Sequence, residues 1–252
     1  MENHKCGFVN IIGKPNVGKS TLMNGLVGEK LSIITSKSQT TRHRITGILN
    51  GDDFQIVYSD TPGIILNPAY KLQESMNNFV TGSLEDADVI LFITDIYELP
   101  EDEPEDTLRK LKHIETPKIL LINKIDLDKD EKLDELVEYW KSKEIFDHVI
   151  PISALNKTNI DILFGLILNN LPLHPAFYPK DQLTDKPERF FITEIIREKI
   201  LLNYKKEIPY SCEVEIEEFK EEEKIVRIRA LIYVERKTQK GIIIGNQGAA
   251  LK

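Results

Sequence analysis

Cysteine is nearly missing from this chain of 252 residues: there are two, Cys6 and Cys212, far apart and with no C-x-x-C pair or histidine cluster beside either. That scarcity excludes a disulfide framework and a zinc centre as organising devices, and a reducing cytoplasm is the simplest compartment. Long apolar runs are missing too. The stretch from Ala87 to Thr94 is too short to span a bilayer, and Met1 to Lys5 lacks the apolar stretch of a secretory signal, so membrane contact, where it occurs, is expected to be peripheral. Basic charge is not in excess either: 33 Lys+Arg stand against 41 Asp+Glu, a net charge of −8. A chain that coats nucleic acid by bulk charge is thereby excluded, although a local basic site is not. Two local groups are present, Lys37, Arg42 and Arg44 in one segment, and Lys199, Lys205, Lys206, Arg236, Lys237 and Lys240 further on. A solvated face is the plainer reading of each. What remains, 41% hydrophobic and 29% charged residues, suits one sizeable α/β domain with a smaller partner.

Short β-rich runs alternate with amphipathic stretches as far as Leu171, the pattern of a mostly parallel sheet flanked by helices. The runs predict strands near 6–12, 45–50, 54–59, 88–94, 118–123 and 147–151, and helices near 19–28, 71–82, 104–114, 130–142 and 159–170. Repeated prolines stiffen 172–187, which is read as a linker between a first domain, 1–171, and a second, 188–252. The second domain reads as a helix over 188–202, two antiparallel strands over 211–219 and 224–235 with Glu221 to Glu223 as a charged turn, and a helix over 238–244. It stops four residues after Gly248, where a further helix is needed to cover the sheet, so it is expected to be incomplete.

The chemistry-bearing signals lie at the ends of the predicted strands. Gly13, Lys14, Pro15, Asn16, Val17, Gly18, Lys19 and Ser20 fit G-x-x-x-x-G-K-[ST] directly after the first strand. Such a loop turns its N–H groups around a polyphosphate, Lys19 reaches the outer phosphates, the Ser20 hydroxyl suits Mg²⁺, and the helix opening at Ser20 and Thr21 adds its positive end. Asp60, Thr61, Pro62 and Gly63 end a later strand. Asp60 there can hold Mg²⁺ through water, and the Gly63 N–H can face a γ-phosphate. Asn123, Lys124 and Asp126 form N-K-x-D: the Asp126 carboxylate accepts from N1–H and N2–H₂ of guanine, which adenine lacks, while the Lys124 stem can cover the ring. Asn123 can bridge base and loop, and Ser153 and Ala154 follow the next strand, where the Ala154 N–H can meet the guanine O6. His113 and Trp140 sit at amphipathic helical positions and read as surface and packing residues.

In this order, with the segment Thr35 to Ile45 as its most specific part, the motifs resemble those of the Era family of bacterial ribosome-assembly GTPases over nearly the whole chain. The resemblance implies a P-loop NTPase fold followed by a smaller α+β type II KH domain, whose Gly-x-x-Gly turn corresponds to Gly245, Asn246, Gln247 and Gly248. It implies Mg²⁺-dependent GTP hydrolysis to GDP and phosphate, binding of 16S ribosomal RNA of the small subunit near its 3′ end, and association with the inner face of the cell membrane. It also implies a threonine completing the Mg²⁺ shell with Ser20 and Asp60, Thr41 first and Thr40 second, with Lys19, Thr41 and Gly63 carrying catalysis. Asn16 matches the residue that holds K⁺ in potassium-stimulated relatives, against a plain loop-capping role. Arg42 and Arg44 are candidates for a built-in arginine finger, against surface or RNA contacts. Two departures matter. Ile64 stands where many small GTPases have a water-orienting glutamine, so slow intrinsic turnover is expected, and a rival reading makes nucleotide a structural ligand of an RNA-binding assembly factor. The KH loop interior, Asn246 and Gln247, lacks the usual cation, so weaker RNA attraction is expected.

Overall fold

The computed structural model describes residues 3–37, 40–65, 71–98, 105–128 and 132–251. Ser38 and Gln39, in the most specific motif segment, and the expected helix starts at 104 and 130 lie outside these.

Two runs explain the centre of the first unit. Val89–Asp95 (β4) and Lys118–Asn123 (β5) are buried at every position. Unbroken apolar strands belong in a parallel sheet covered on both faces, where no side chain can turn to water. The sheet has six strands in the order β2-β3-β1-β4-β5-β6, adding β1 (Lys5–Ile12), β2 (Ile45–Asn50), β3 (Phe54–Asp60) and β6 (His148–Pro151). Among the described residues of this sheet, β2–β3 is the antiparallel strand pair and the other strand pairs are parallel. Helices α1 (Lys19–Val27), α2 (Lys71–Glu85), α3 (Glu105–His113), α4 (Leu133–Ser142) and α5 (Ile160–Asn170) intervene. One core groups Ile12, Ile64, Val80, Leu84, Phe92, Leu120 and Trp140, with Phe146 against the indole. His113 is exposed.

Strand order reverses at β1, which pairs with β3 on one side and β4 on the other. Loops leaving the carboxyl ends of the strands diverge at such a point and open a crevice there.

The proline-rich stretch runs along the edge of this sheet. The Ile48 N–H donates to Leu183 O at 2.8 Å, and Thr184 Oγ1 donates to Thr46 O at 2.6 Å, so the outer edge of β2 is covered. Gln55, fully buried on β3, accepts from the N–H groups of Phe177 and Tyr178 at 2.8 and 2.9 Å and donates to Tyr178 O at 2.8 Å. A polar side chain is tolerated at that depth because each end has partners.

By contact, the chain divides into one unit that runs through 185, without 33–37, and a second of 33–37 with 186–252. The second unit contains α6 (Glu188–Asn203), the antiparallel pair β7 (Cys212–Glu222) and β8 (Ile225–Val234), and α7 (Lys237–Ile244). Its core is small: Ile200, Ile208, Cys212, Val214 and Ile243. Pairing continues to Glu222 opposite Ile225. The hairpin turn is therefore Glu223 and Lys224, and Glu221 and Glu222, expected in the turn, belong to the strand.

Candidate functional site

All the nucleotide signals converge on the carboxyl ends of β1, β3, β5 and β6. The loop after β1 needs unusual backbone angles: Asn16 has φ 66° and Gly18 φ 105°. Asparagine tolerates the left-handed region. At Gly18 a side chain is excluded on a second ground, since a Cβ would lie 2.2 Å from Asn123 Nδ2. Lys19, buried, donates from Nζ to the carbonyls of Gly13 at 3.0 Å and Lys14 at 2.6 Å, which lays its ammonium across the loop.

Ser20 Oγ donates to Asp60 Oδ2 at 2.6 Å, and Thr41 Oγ1 lies 3.2 Å from Ser20 Oγ and 3.4 Å from the same carboxylate oxygen. The three oxygen donors expected around one cation are thus together, and Thr41 is the threonine whose hydroxyl meets them. Asp60 is completely buried, and its Oδ1 makes no hydrogen bond. Burial pushes its carboxyl above the ordinary range, against the opposing pull of the Ser20 hydroxyl and the Lys19 ammonium. A buried carboxylate with one unpartnered oxygen, flanked by two hydroxyls, is a hard-oxygen set that fits Mg²⁺.

Thr61 Oγ1 donates to Ile11 O at 2.8 Å and fixes the turn after Asp60. The Ile64 N–H donates to Gly13 O at 3.0 Å, so this turn lies directly on the phosphate loop. Contact there is close enough that a Cβ on Gly63 would stand 2.6 Å from Pro15 N. Ile64 itself is 8% exposed and packs into the core. Position 64 is therefore a packing position here.

On the base side, Asn123 is a brace. Its Nδ2 donates to Val17 O at 2.8 Å and its Oδ1 accepts from the Ala154 N–H at 2.9 Å. That N–H, expected at a guanine O6, is occupied by Asn123 in this structure. Ser153 Oγ donates to Asp126 Oδ1 at 2.6 Å, holding an exposed carboxylate from a buried hydroxyl. Lys124 takes φ 64° and donates to Asp95 Oδ2 at 2.5 Å. Asp95 and Glu98, which pairs with Lys14 at 2.6 Å, went unremarked in the sequence. The available signal was a carboxylate ending an otherwise apolar strand.

The basic segment divides. Arg44 donates from Nε to Ser59 Oγ at 3.0 Å and pairs with Asp86, which places it in a polar cluster on the sheet. Lys37 belongs to the second unit, where its ammonium donates to the carbonyls of Leu201 and Tyr204 at the end of α6. Those carbonyls have no partner inside the helix, and a cation at that end also meets the negative pole of the helix.

In the second unit, α7 ends at Gly245 (φ 71°), followed by the exposed Asn246 and Gln247 and by Gly248 (φ 78°). An added Cβ on Gly248 would meet nothing within 4 Å, so the backbone there is open to close approach. Tyr204 Oη donates to Ile243 O at 2.7 Å and fixes the helix end that leads into this turn.

Comparison with known proteins agrees with both halves. A family model described as 50S ribosome-binding GTPase matches residues 8–124, and a KH domain model matches 207–252. GTPase Era of Alkaliphilus metalliredigens is 45% identical over 252 residues, covering 99% of this chain and 85% of that protein. The chloroplastic GTPase ERA1 of Zea mays is 44% identical over 253 residues, and the chain spans 61% of its length. Among solved structures, Era in complex with MgGDPNP and nucleotides 1506–1542 of 16S ribosomal RNA superposes with a TM-score of 0.92 at 40% identity, over 98% of this chain and 85% of that one. A variant of Aquifex aeolicus Era bound to GDP and aluminium fluoride gives 0.91 at 41% identity, with the same coverage.

Proposed function

Because the chain belongs to the Era family of GTPases, we propose that it binds GTP and GDP with Mg²⁺, hydrolyses GTP, and binds 16S ribosomal RNA through its KH unit as a switch in small-subunit assembly. The observation that carries the nucleotide half is the meeting of Ser20, Thr41 and Asp60 beside Lys19, at the same sheet end as Asn123, Asp126 and Ser153. The RNA half rests on the KH match and on the RNA in the related Era complex.

Each residue has a role that follows from its chemistry. Gly13 to Ser20 hold the phosphates through backbone N–H groups, and Lys19 moves from loop carbonyls to phosphate oxygens, where its charge opposes the charge that develops in the transition state. Ser20, Thr41 and Asp60 hold Mg²⁺, which supplies charge neutralisation between the phosphates when bound. Gly63 offers its N–H at the γ-phosphate end. Lys124 covers the base, and Asp126, steadied by Ser153, reads the guanine donors. Gly245, Asn246, Gln247 and Gly248 let an RNA backbone approach closely. Residues 1–171 act as the GTP-binding body, 172–187 as the connection and 188–252 as the RNA-binding body.

Intrinsic turnover is slow, since Ile64 supplies no water-orienting group. That same burial favours a second reading, in which nucleotide is chiefly a structural ligand. Multiple-turnover phosphate release with small ribosomal subunits separates the two: release above background supports the switch, and none supports the structural role. Binding of GDP no tighter than ADP, or Asp126→Asn without a shift toward xanthine nucleotides, refutes the guanine assignment.

Asn16 serves K⁺ beside the phosphates in this proposal, and its left-handed backbone gives a second reason for asparagine there. Equal turnover in K⁺ and Na⁺ buffers removes the ion. In this proposal the chain works in the cytoplasm and associates peripherally with the inner face of the membrane; among the described residues no helix is long and apolar enough to cross one. Failure to float with anionic vesicles refutes that association.

A further inference from the structure

One turn touches both halves of the nucleotide site. Asp95, 5% exposed at the end of β4, divides its carboxylate: Oδ2 accepts from Lys124 Nζ at 2.5 Å, and Oδ1 accepts from the N–H groups of Tyr97 at 2.9 Å and Glu98 at 3.2 Å. The second pair of bonds folds 95–98 into a tight turn. Glu98 leaves that turn and pairs through Oε2 with Lys14 Nζ at 2.6 Å, and Lys14 is itself a phosphate-loop residue whose carbonyl accepts from Lys19. The turn is further tied to the base side, since the Ile96 N–H donates to Asn123 O at 3.3 Å. Two ion pairs, Lys124 with Asp95 and Lys14 with Glu98, are therefore joined through the backbone turn 95–98, one on the base side and one on the phosphate loop. In each pair one partner is well covered, the Asp95 side chain at 6% and that of Lys14 at 11%, and the other partly so, Lys124 at 30% and Glu98 at 29%, so water screens these pairs less than fully exposed ones.

We infer that Asp95 is a positioning residue for nucleotide binding: one oxygen orients Lys124 over the base, and the other builds the turn by which Glu98 anchors the phosphate loop through Lys14. The inference rests on the nucleotide-site reading above. It touches no reacting atom, and its effect is to couple the two halves of the site, so that loosening either at Asp95 loosens both.

The test is a set of double-mutant cycles on GDP affinity and GDP release in the full chain. Asp95→Ala weakens GDP binding roughly 30-fold or more, because it removes a buried charged partner. Asp95→Asn keeps an acceptor for the two N–H groups but loses the charge toward Lys124, so it recovers part of that loss. Asp95→Asn adds nothing in a Lys124→Met background, and the charge-neutral pair Lys14→Met with Glu98→Gln, which alone speeds GDP release several-fold, adds nothing in an Asp95→Ala background. A purely stabilising role gives additive losses instead. The ratio of GDP to inosine diphosphate affinity stays constant, since Asp126 is undisturbed.

Asp95→Ala binding within two-fold of the parent, or additivity in both cycles, overturns the inference. Should Asp95→Ala fail to fold, Asp95→Asn and the Lys14/Glu98 pair carry the test alone. A parent protein that does not bind GDP refutes the site itself, and a parent that binds while every variant matches it refutes only the coupling.

Discussion

Replacing Asn123 by alanine tests whether the base-side loop and the phosphate loop form one rigid site. The side chain is 3% exposed and makes two good bonds, to Val17 O at 2.8 Å and from the Ala154 N–H at 2.9 Å. Truncation removes both and leaves a backbone carbonyl and an N–H unpaired at a buried site. With about 1–3 kcal/mol for each of the two buried groups left unsatisfied, the loss falls at about 2–6 kcal/mol. At about 2–4 °C per kcal/mol for a chain of this size, that lowers the melting temperature by roughly 4–24 °C. Thermal unfolding by circular dichroism without nucleotide reads the stability, and competition binding reads GDP affinity, which falls about tenfold or more. Asn123→Asp supplies a directional control. It keeps the acceptor for Ala154 but turns an oxygen toward Val17 O, so at neutral pH it is no better than alanine, and its deficit narrows at acid pH, where the protonated acid regains a donor. A variant Asn123→Ala that melts within 1 °C of the parent and binds GDP within two-fold refutes the bracing role.

Asp60→Asn separates the cost of burial from the benefit of the cation. Since burial raises the carboxyl, its neutral form stabilises the fold at pH values below the ordinary carboxylate range, and that contribution is lost as pH rises through the raised folded value. In EDTA at pH 7 the variant therefore melts above the parent, the gap closes as pH falls to the ordinary carboxylate range, and the Mg²⁺-dependent rise expected of the parent with GDP disappears; an unchanged melting temperature in EDTA contradicts this. Ile64→Gln does not speed phosphate release, because the position faces the core, and it lowers stability by about 2–4 kcal/mol on denaturant titration; faster turnover without destabilisation shows that the side chain reaches the site. Gly82→Ala in α2 stabilises the apo protein by about 0.5–1 kcal/mol, since an added Cβ meets nothing within 4 Å and the helix gains propensity; a lower denaturation midpoint disproves the open environment.

Much of the site was legible because its signals are local. A glycine-framed loop after an apolar run must turn at the end of a strand, and Asp60, Asn123 and Ser153 follow their own apolar runs in the same way. Period-two and unbroken apolar runs likewise place the strands, since burial on two faces leaves no room for polar alternation. Thr41 was narrowed only to a pair with Thr40, because adjacent residues in an irregular segment carry no period from which to read a direction. In the structure the Thr41 hydroxyl is the one beside Ser20 and Asp60.

By itself, then, the sequence determined the order of strands and helices, the glycine-framed loop after β1, the N-K-x-D segment with its Asp126 carboxylate and the Gly-x-x-Gly turn, each of which depends on residues within a few positions of one another. Tertiary structure alone decided that Ile64 turns inward, that Gln55 fastens the proline-rich stretch, that Lys37 caps α6, and that Asp95 and Glu98 join Lys124 to Lys14. Those pairings join groups distant in the chain, and which partners meet is set by strand order and register, quantities that exist only once the sheet has formed.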